Sequence, residues 1–303
     1  MSTRTKLMKL LASAVVATFA FQCAQAQYDQ PKTAPRTIPP MSDAAKAIKS
    51  AADAMGMPRT GGPGGALLPE VDVVNRMEFW GSGTASAPGT SGQASKTEYH
   101  AALGYNPPAM RVEMGPAQGS GGQAAQQRMI RTVRDNYAWN ESELGAGLEP
   151  GRGTATPDMA AVKGRLLQLW MLPYGVVKAA FAAGDKTKLS VENGATVLTF
   201  PLSGELAGVT VKATLDAKNF ITKVETQSDN PALVRQAEYS DYSDHGEILT
   251  DIKSPGHIVQ KQGGATVLDI QIKMWDANNP YVVFPVPANV KKTGTQQSAN
   301  RAQ

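Results

Sequence analysis

Apolar and polar residues alternate with a period of two along most of the chain, the spacing of strands with one buried face. The first such segments are Val71 to Trp80, Lys96 to Tyr105, Met110 to Met114 and Gln127 to Trp139. After a break come Lys188 to Glu192, Thr196 to Leu202, Val209 to Asp216, Phe220 to Gln227 and Val234 to Tyr242. Ile248 to Ile252, His257 to Gln262 and Thr266 to Trp275 complete the series. In the last of these, Leu268, Ile270, Ile272 and Met274 fall on one face, with Val267, Asp269, Gln271 and Lys273 on the other. Asn193-Gly194 and Gly263-Gly264 supply the residues of tight primed turns. Strands joined by such short turns pair antiparallel, because a parallel crossover takes roughly a dozen residues or more.

One stretch has helical spacing instead. Thr156 reads as its N-cap, Pro157 as its first residue and Asp158 as an acid at the positive end of the dipole. Met159, Val162, Leu166, Leu169 and Trp170 follow until Pro173 breaks the pattern. A second helical turn runs through Val176, Val177, Ala180 and Phe181 to a stop at Gly184. Leu166 to Leu172 is apolar nearly all round, which predicts burial on most sides. A sheet of about ten strands has to curl to cover it. The expected fold is mainly β with α (α+β): a strongly curved antiparallel sheet wrapped over an apolar, Pro-broken helix.

The ends of the chain change the picture. Arg4, Lys6 and Lys9, then Leu10 to Phe21, then Ala24-Gln25-Ala26 have the order of a cleavable signal peptide covering residues 1–26. The apolar run is shorter than the roughly 20 residues of a membrane span. Export to the periplasm or outside the cell is expected, with cleavage after Ala26 and no integral membrane segment afterwards. Residues 27–65 read as a Pro/Gly-rich linker with a weak helix at 43–55 capped by Ser42, and 291–303 as a disordered tail. The folded body is then expected at 66–290.

The net charge of +4 and the single cysteine in 303 residues look different after this division. Arg4, Lys6 and Lys9 leave with the leader, and Lys291, Lys292 and Arg301 lie in the tail, so residues 27–290 are left near −2. The basic balance therefore gives no support to an anionic partner for the body. Cleavage also removes Cys23, which excludes cysteine catalysis and suits an oxidising compartment.

Candidate chemistry is sparse. Gly61 to Gly65 and Gly119 to Gly122 lack the Lys-Ser/Thr of a phosphate loop and read as flexible loops, and no Gly-x-Ser-x-Gly elbow occurs. Asp241, Asp244 and His245 form the densest polar cluster, able in principle to bind a cation or act as a base, but they also have the composition of a plain turn. Arg128, Arg131 and Arg134 recur every third residue, which in a strand spreads them over both faces and builds no nucleic-acid stripe. No nucleic-acid partner, cofactor, metal site or catalytic residue is assigned.

Three stretches carry a resemblance: Leu169 to Phe181 (LWMLPYGVVKAAF), Lys223 to Val234 (KVETQSDNPALV) and Glu238 to Val267. Their ordered set resembles the N-terminal region ahead of the catalytic domain in some bacterial exported metallo-beta-lactamase-fold hydrolases. That region is similar in layout to the LolA/LolB-like half-barrel, a curved sheet that cradles an apolar ligand. The likeness covers roughly residues 66–290, and its most specific part is Ser240-Asp241-Tyr242 to Gln262-Gly263-Gly264. The zinc-binding His-x-His-x-Asp-His of those hydrolases is absent, and His100, His245 and His257 are scattered, so the hydrolase activity is not implied. The resemblance implies a non-catalytic module that binds an apolar or amphiphilic ligand such as a lipid. Candidate lining residues on the concave face and helix are Trp80, Trp139, Leu166, Leu169, Trp170, Tyr174, Phe181 and Met274. Plain core packing is the competing role for the same side chains. The alternatives are an accessory module for a separately encoded envelope metallo-hydrolase, or an enzyme using Asp241, Asp244 and His245.

Overall fold

The computed structural model describes residues 41–57, 74–86, 94–116, 128–244 and 252–301, with side chains as far as 296. Residues 1–40, among them the expected leader, both Gly-rich stretches, His245 and nearly all of Ile248 to Ile252 lie outside the described residues. Ser42 onward belongs to one compact unit.

The first element among the described residues is α1, Asp43–Ala54, with the Ser42 side chain accepting from the Ala45 N–H. This helix is part of the body and no linker segment, because Ile48, Ala51 and Ala52 are buried in the main core. β1 (Arg76–Ala85), β2 (Ser95–Tyr105), β3 (Pro108–Gly115), β4 (Met129–Arg134), β5 (Tyr137–Glu141) and β6 (Ala155–Pro157) then form one antiparallel meander. The long run expected at Gln127 to Trp139 divides at Asp135, whose positive φ of 52° turns the chain back.

Thr156 and Pro157 lie in β6, so they do not start the helix. A short 3-10 turn follows, and α2 spans Val162–Met171. Leu172 is extended, Pro173 opens α3 (Pro173–Ala183), and the two helical arms meet at 96°. Gly175 permits so sharp a bend: a Cβ there would sit 2.7 Å from the Leu169 carbonyl oxygen. No single helix among the described residues is long and apolar enough to cross a membrane.

The second half is again antiparallel: β7 (Lys188–Glu192), β8 (Ala195–Pro201), β9 (Thr210–Leu215), β10 (Ile221–Gln227) and β11 (Arg235–Ser240). A separate two-stranded ladder, β12 (Ser243–Asp244) with β13 (Lys253–Ser254), precedes β14 (His257–Gln262) and β15 (Ala265–Ala277). Asn193-Gly194 and Gly263-Gly264 have positive φ at both positions, as primed hairpin turns require.

Thirteen strands form the main sheet in the order β6-β5-β4-β3-β2-β1-β15-β14-β11-β10-β9-β8-β7. This exceeds the ten or so expected, mainly because of the divided run and β6. Its two end strands are not paired with each other, so the sheet is no closed barrel. One face buries the helix pair: Tyr239 donates to the Met171 carbonyl at 2.8 Å, and Gln168 donates to the Tyr99 hydroxyl at 3.3 Å. α4 (Ala288–Arg301) replaces the disordered tail expected there, and Val290 packs with Trp139 and Ala155 on the other face.

Among the described residues, the two halves of the main sheet are joined by strand pairing at β1 and β15 alone. The register shifts between Trp80 and Gly81, leaving Lys273 as an extra residue in β15. That bulge inverts the alternation read from the sequence. Met274 pairs with Trp80 on the outer face, and Trp275 turns inward against Phe79 with ring centroids 4.4 Å apart.

β1 approaches β15 so closely that a Cβ at Gly83 would lie 2.0 Å from the Asp269 carbonyl oxygen. Gly83→Ala is expected to destabilise the protein by about 1–3 kcal/mol through forced separation of the strands. Ser82→Ala, on the opposite face, is expected to stay within about 0.5 kcal/mol. Denaturant unfolding of both variants is the check, and equal midpoints would refute the close-packing account.

Candidate functional site

Strand parity decides which side chains face the helices. On β3, Met110, Val112 and Met114 turn inward, and their register partners on β4 are Val133, Arg131 and Met129. From the other half of the sheet, Arg235 and Gln262 are paired, as are Gln260 and Leu268. Lys163, Gly164, Arg165 and Gln168 of α2 lie over these residues. Between them is a cavity of about 910 Å³, inside the range of small-molecule sites.

Its apolar wall is soft, built largely from Met110, Val112, Met114, Met129 and Leu268. Its polar wall is basic. Arg165 is fully engaged, donating to the Thr132 and Trp139 carbonyls at 2.8 and 2.6 Å and to Asn140 and Asp158 at 2.7 and 2.6 Å. Burial lowers its pKa to about 10 against the support of Asp158, with Arg131 pushing the same way as burial. Arg235 donates to the Gly164 carbonyl at 3.1 Å, and burial lowers its pKa as well. A Cβ at position 164 would lie 3.0 Å from that guanidinium, so glycine gives Arg235 its seat on the helix.

A second cavity of about 720 Å³ is lined by Leu166 and Trp170 together with Pro108, Leu202 and Leu206. Pro108 opens β3, whereas Leu202 and Leu206 belong to the β8–β9 connection, far from it in strand order.

Of the eight candidate lining residues, the structure brings Leu166 and Trp170 to this second cavity. Leu169 and Tyr174 are core, 0% and 1% exposed, with the Tyr174 hydroxyl 2.6 Å from the Lys253 carbonyl oxygen. Trp139 is buried beneath α4, its indole N–H donating to Glu141 at 2.9 Å. Trp80 and Met274 occupy the outer face, and Phe181 is exposed. Asp241 and Asp244 are exposed, and Asp241 sits in a left-handed turn at φ 59°. Among the described residues no group of three or more His, Cys, Asp or Glu side chains can hold a metal.

The cavity residues Arg131, Arg235, Met110 and Met114 were not singled out by the sequence as a site. A signal for one existed. The three-residue spacing of Arg128, Arg131 and Arg134 puts the middle arginine alone on its face. Arg128 pairs with Glu113 on the outer face, and Arg134 donates there to the Phe284 carbonyl.

That outer face carries a polar network. His100 stacks on Trp80, with Nδ1 3.2 Å from Glu113 Oε1 and Nε2 3.1 Å from Glu78 Oε1. Burial pushes the Glu113 carboxyl up, but His100 and Arg128 together outweigh it and hold the pKa down to about 2.

Compared with known proteins, the chain matches no family model and no curated protein.

A carboxylate held from 4.5 down to about 2 stabilises the fold fully above pH 4.5 and loses that contribution as pH falls toward 2. Glu113→Gln is expected to cost up to about 3 kcal/mol at neutral pH and to flatten the stability profile across that window. Thermal unfolding from pH 2 to 7 measures it; parallel curves for the two proteins would disprove the assignment.

Proposed function

We propose that this protein is a non-catalytic binding module of the bacterial cell envelope that holds an amphiphilic ligand between α2 and the inner face of its sheet. The observation that carries this reading is the cavity of about 910 Å³, with a methionine-rich wall on one side and basic groups on the other. Apolar cavities with a few placed polar groups are the ordinary form of a small-molecule site. Methionine side chains adapt to flexible apolar chains better than branched ones do.

The proposal includes the half-barrel form and the likeness to the LolA/LolB-like fold. In its favour, one cavity is lined both by the start of β3 and by the β8–β9 connection, from distant parts of the strand order. The bent helix pair then occupies the hollow as a plug. Export and the periplasmic or secreted location rest on the leader-like residues 1–26.

The full chain, expressed with its leader and recovered from the envelope fraction, is expected to take up a fluorescent fatty acyl probe. Met114→Trp fills the apolar wall and should weaken uptake at least about tenfold, a loss of roughly 1.4 kcal/mol, with the unfolding temperature little changed. Absence of uptake by the wild-type protein, or unchanged uptake by the folded variant, would overturn the reading.

A further inference from the structure

We propose that the ligand of this cavity is a single-chain amphiphile with an anionic headgroup, received by the guanidinium groups of Arg131 and Arg235. This rests on the binding reading above and adds the chemistry of the headgroup.

The inference starts from an imbalance of charge. Arg131, Lys163, Arg165 and Arg235 line the cavity, whereas Asp158 is the acid among the inward-facing groups. Arg128 and Glu141 also border it, but their side chains turn to the outer face. There Arg128 pairs with Glu113, and Glu141 accepts from Thr132, Trp139 and the Gly145 N–H. Asp158 pairs with Arg165 at 2.6 Å and lends weaker, unpaired support to the charge of Arg131. One acid thus serves several cations, and the surplus is positive, in a body whose overall charge is slightly negative.

The two central cations differ from ordinary surface arginines. Arg131 projects from β4 into the cavity and makes no hydrogen bond or ion pair among the described residues. Arg235 faces it from the other half of the sheet, and among the described residues its side chain donates only to backbone carbonyls, Gly164 at 3.1 Å and Ala232 at 3.4 Å. Burial disfavours the charge of both, and for Arg131 it outweighs the support of Tyr99 and Asp158. A guanidinium does not escape that cost by releasing its proton near neutral pH. The compensation left is an anion, and a carboxylate or phosphate matches the guanidinium fork with paired hydrogen bonds. Gln168, Gln260 and Gln262 offer amide donors beside them, and the wall of Met110, Met114 and Leu268 receives the chain.

The probes are dodecanoate, dodecyl phosphate and dodecanol, titrated into the full protein by calorimetry. At least one of the two anions should bind tenfold or more tightly than dodecanol, the range of one or two charge-assisted hydrogen bonds. The tighter anion assigns a carboxylate or a phosphate headgroup. Arg131→Gln and the double variant with Arg235→Gln should lower anion affinity about tenfold to a hundredfold and leave dodecanol binding unchanged. Arg131→Lys keeps the charge without the fork and should fall between. If all three probes bind alike, or the preference survives in the folded double variant, the headgroup inference fails and the cavity reading stands. If none binds, the cavity reading falls and the inference with it.

Discussion

The pairing of β1 with β15 is the constraint on which the rest of the structure depends. Each half of the sheet is built mostly from near neighbours in sequence, meanders whose turns are set locally. This one ladder joins residues 76–85 to residues 265–277 and makes a single sheet of two halves. It is also the ladder with the least room, since Gly81 and Gly83 lie against the β15 backbone where any side chain would collide. The long loop closed by it carries the entropic cost of non-local pairing, offset by the core that forms around Phe79, Tyr99 and Trp275 once the halves meet. Without that closure, the wall that carries Arg131 and the wall that carries Arg235 do not face each other.

The bent helix pair completes the arrangement. Leu172 and Pro173 end one helix and begin the next, and the missing side chain at Gly175 lets the second pass close to the first. Leu167, Leu169 and Val176 disappear into the core, while the first turns of α2 stay polar and roof the larger cavity with Lys163, Arg165 and Gln168. Apolar burial thus fixes the helix, and the fixed helix positions charges that the same burial penalises.

The strands and their pairing sense were readable because a period of two and short turns are local properties. The helix break at Pro173, the Ser42 cap and the two positive-φ hairpins were readable for the same reason. The site was not. Met274 continues the apolar face in sequence, yet Lys273 is extra in the ladder, and every side chain beyond it changes side. Trp139 is apolar and sits next to inward-facing Ala138, and it is buried on the other side beneath a helix whose polar sequence promised no structure. Thr156 and Pro157 have the composition of a helix start, but pairing with β5 takes them into the sheet.

Net charge shows the same division. Counting residues gives a body near −2, which gave no support to an anionic partner, because a sum has no positions. By itself the sequence determined the class of elements, their antiparallel pairing and the broken apolar helix, all functions of residues close together along the chain. Only the tertiary structure decided which faces those elements share, and so which cations stand together over an apolar wall. Facing is set by one bulge and one non-local ladder, contacts between residues nearly two hundred positions apart that no local pattern encodes.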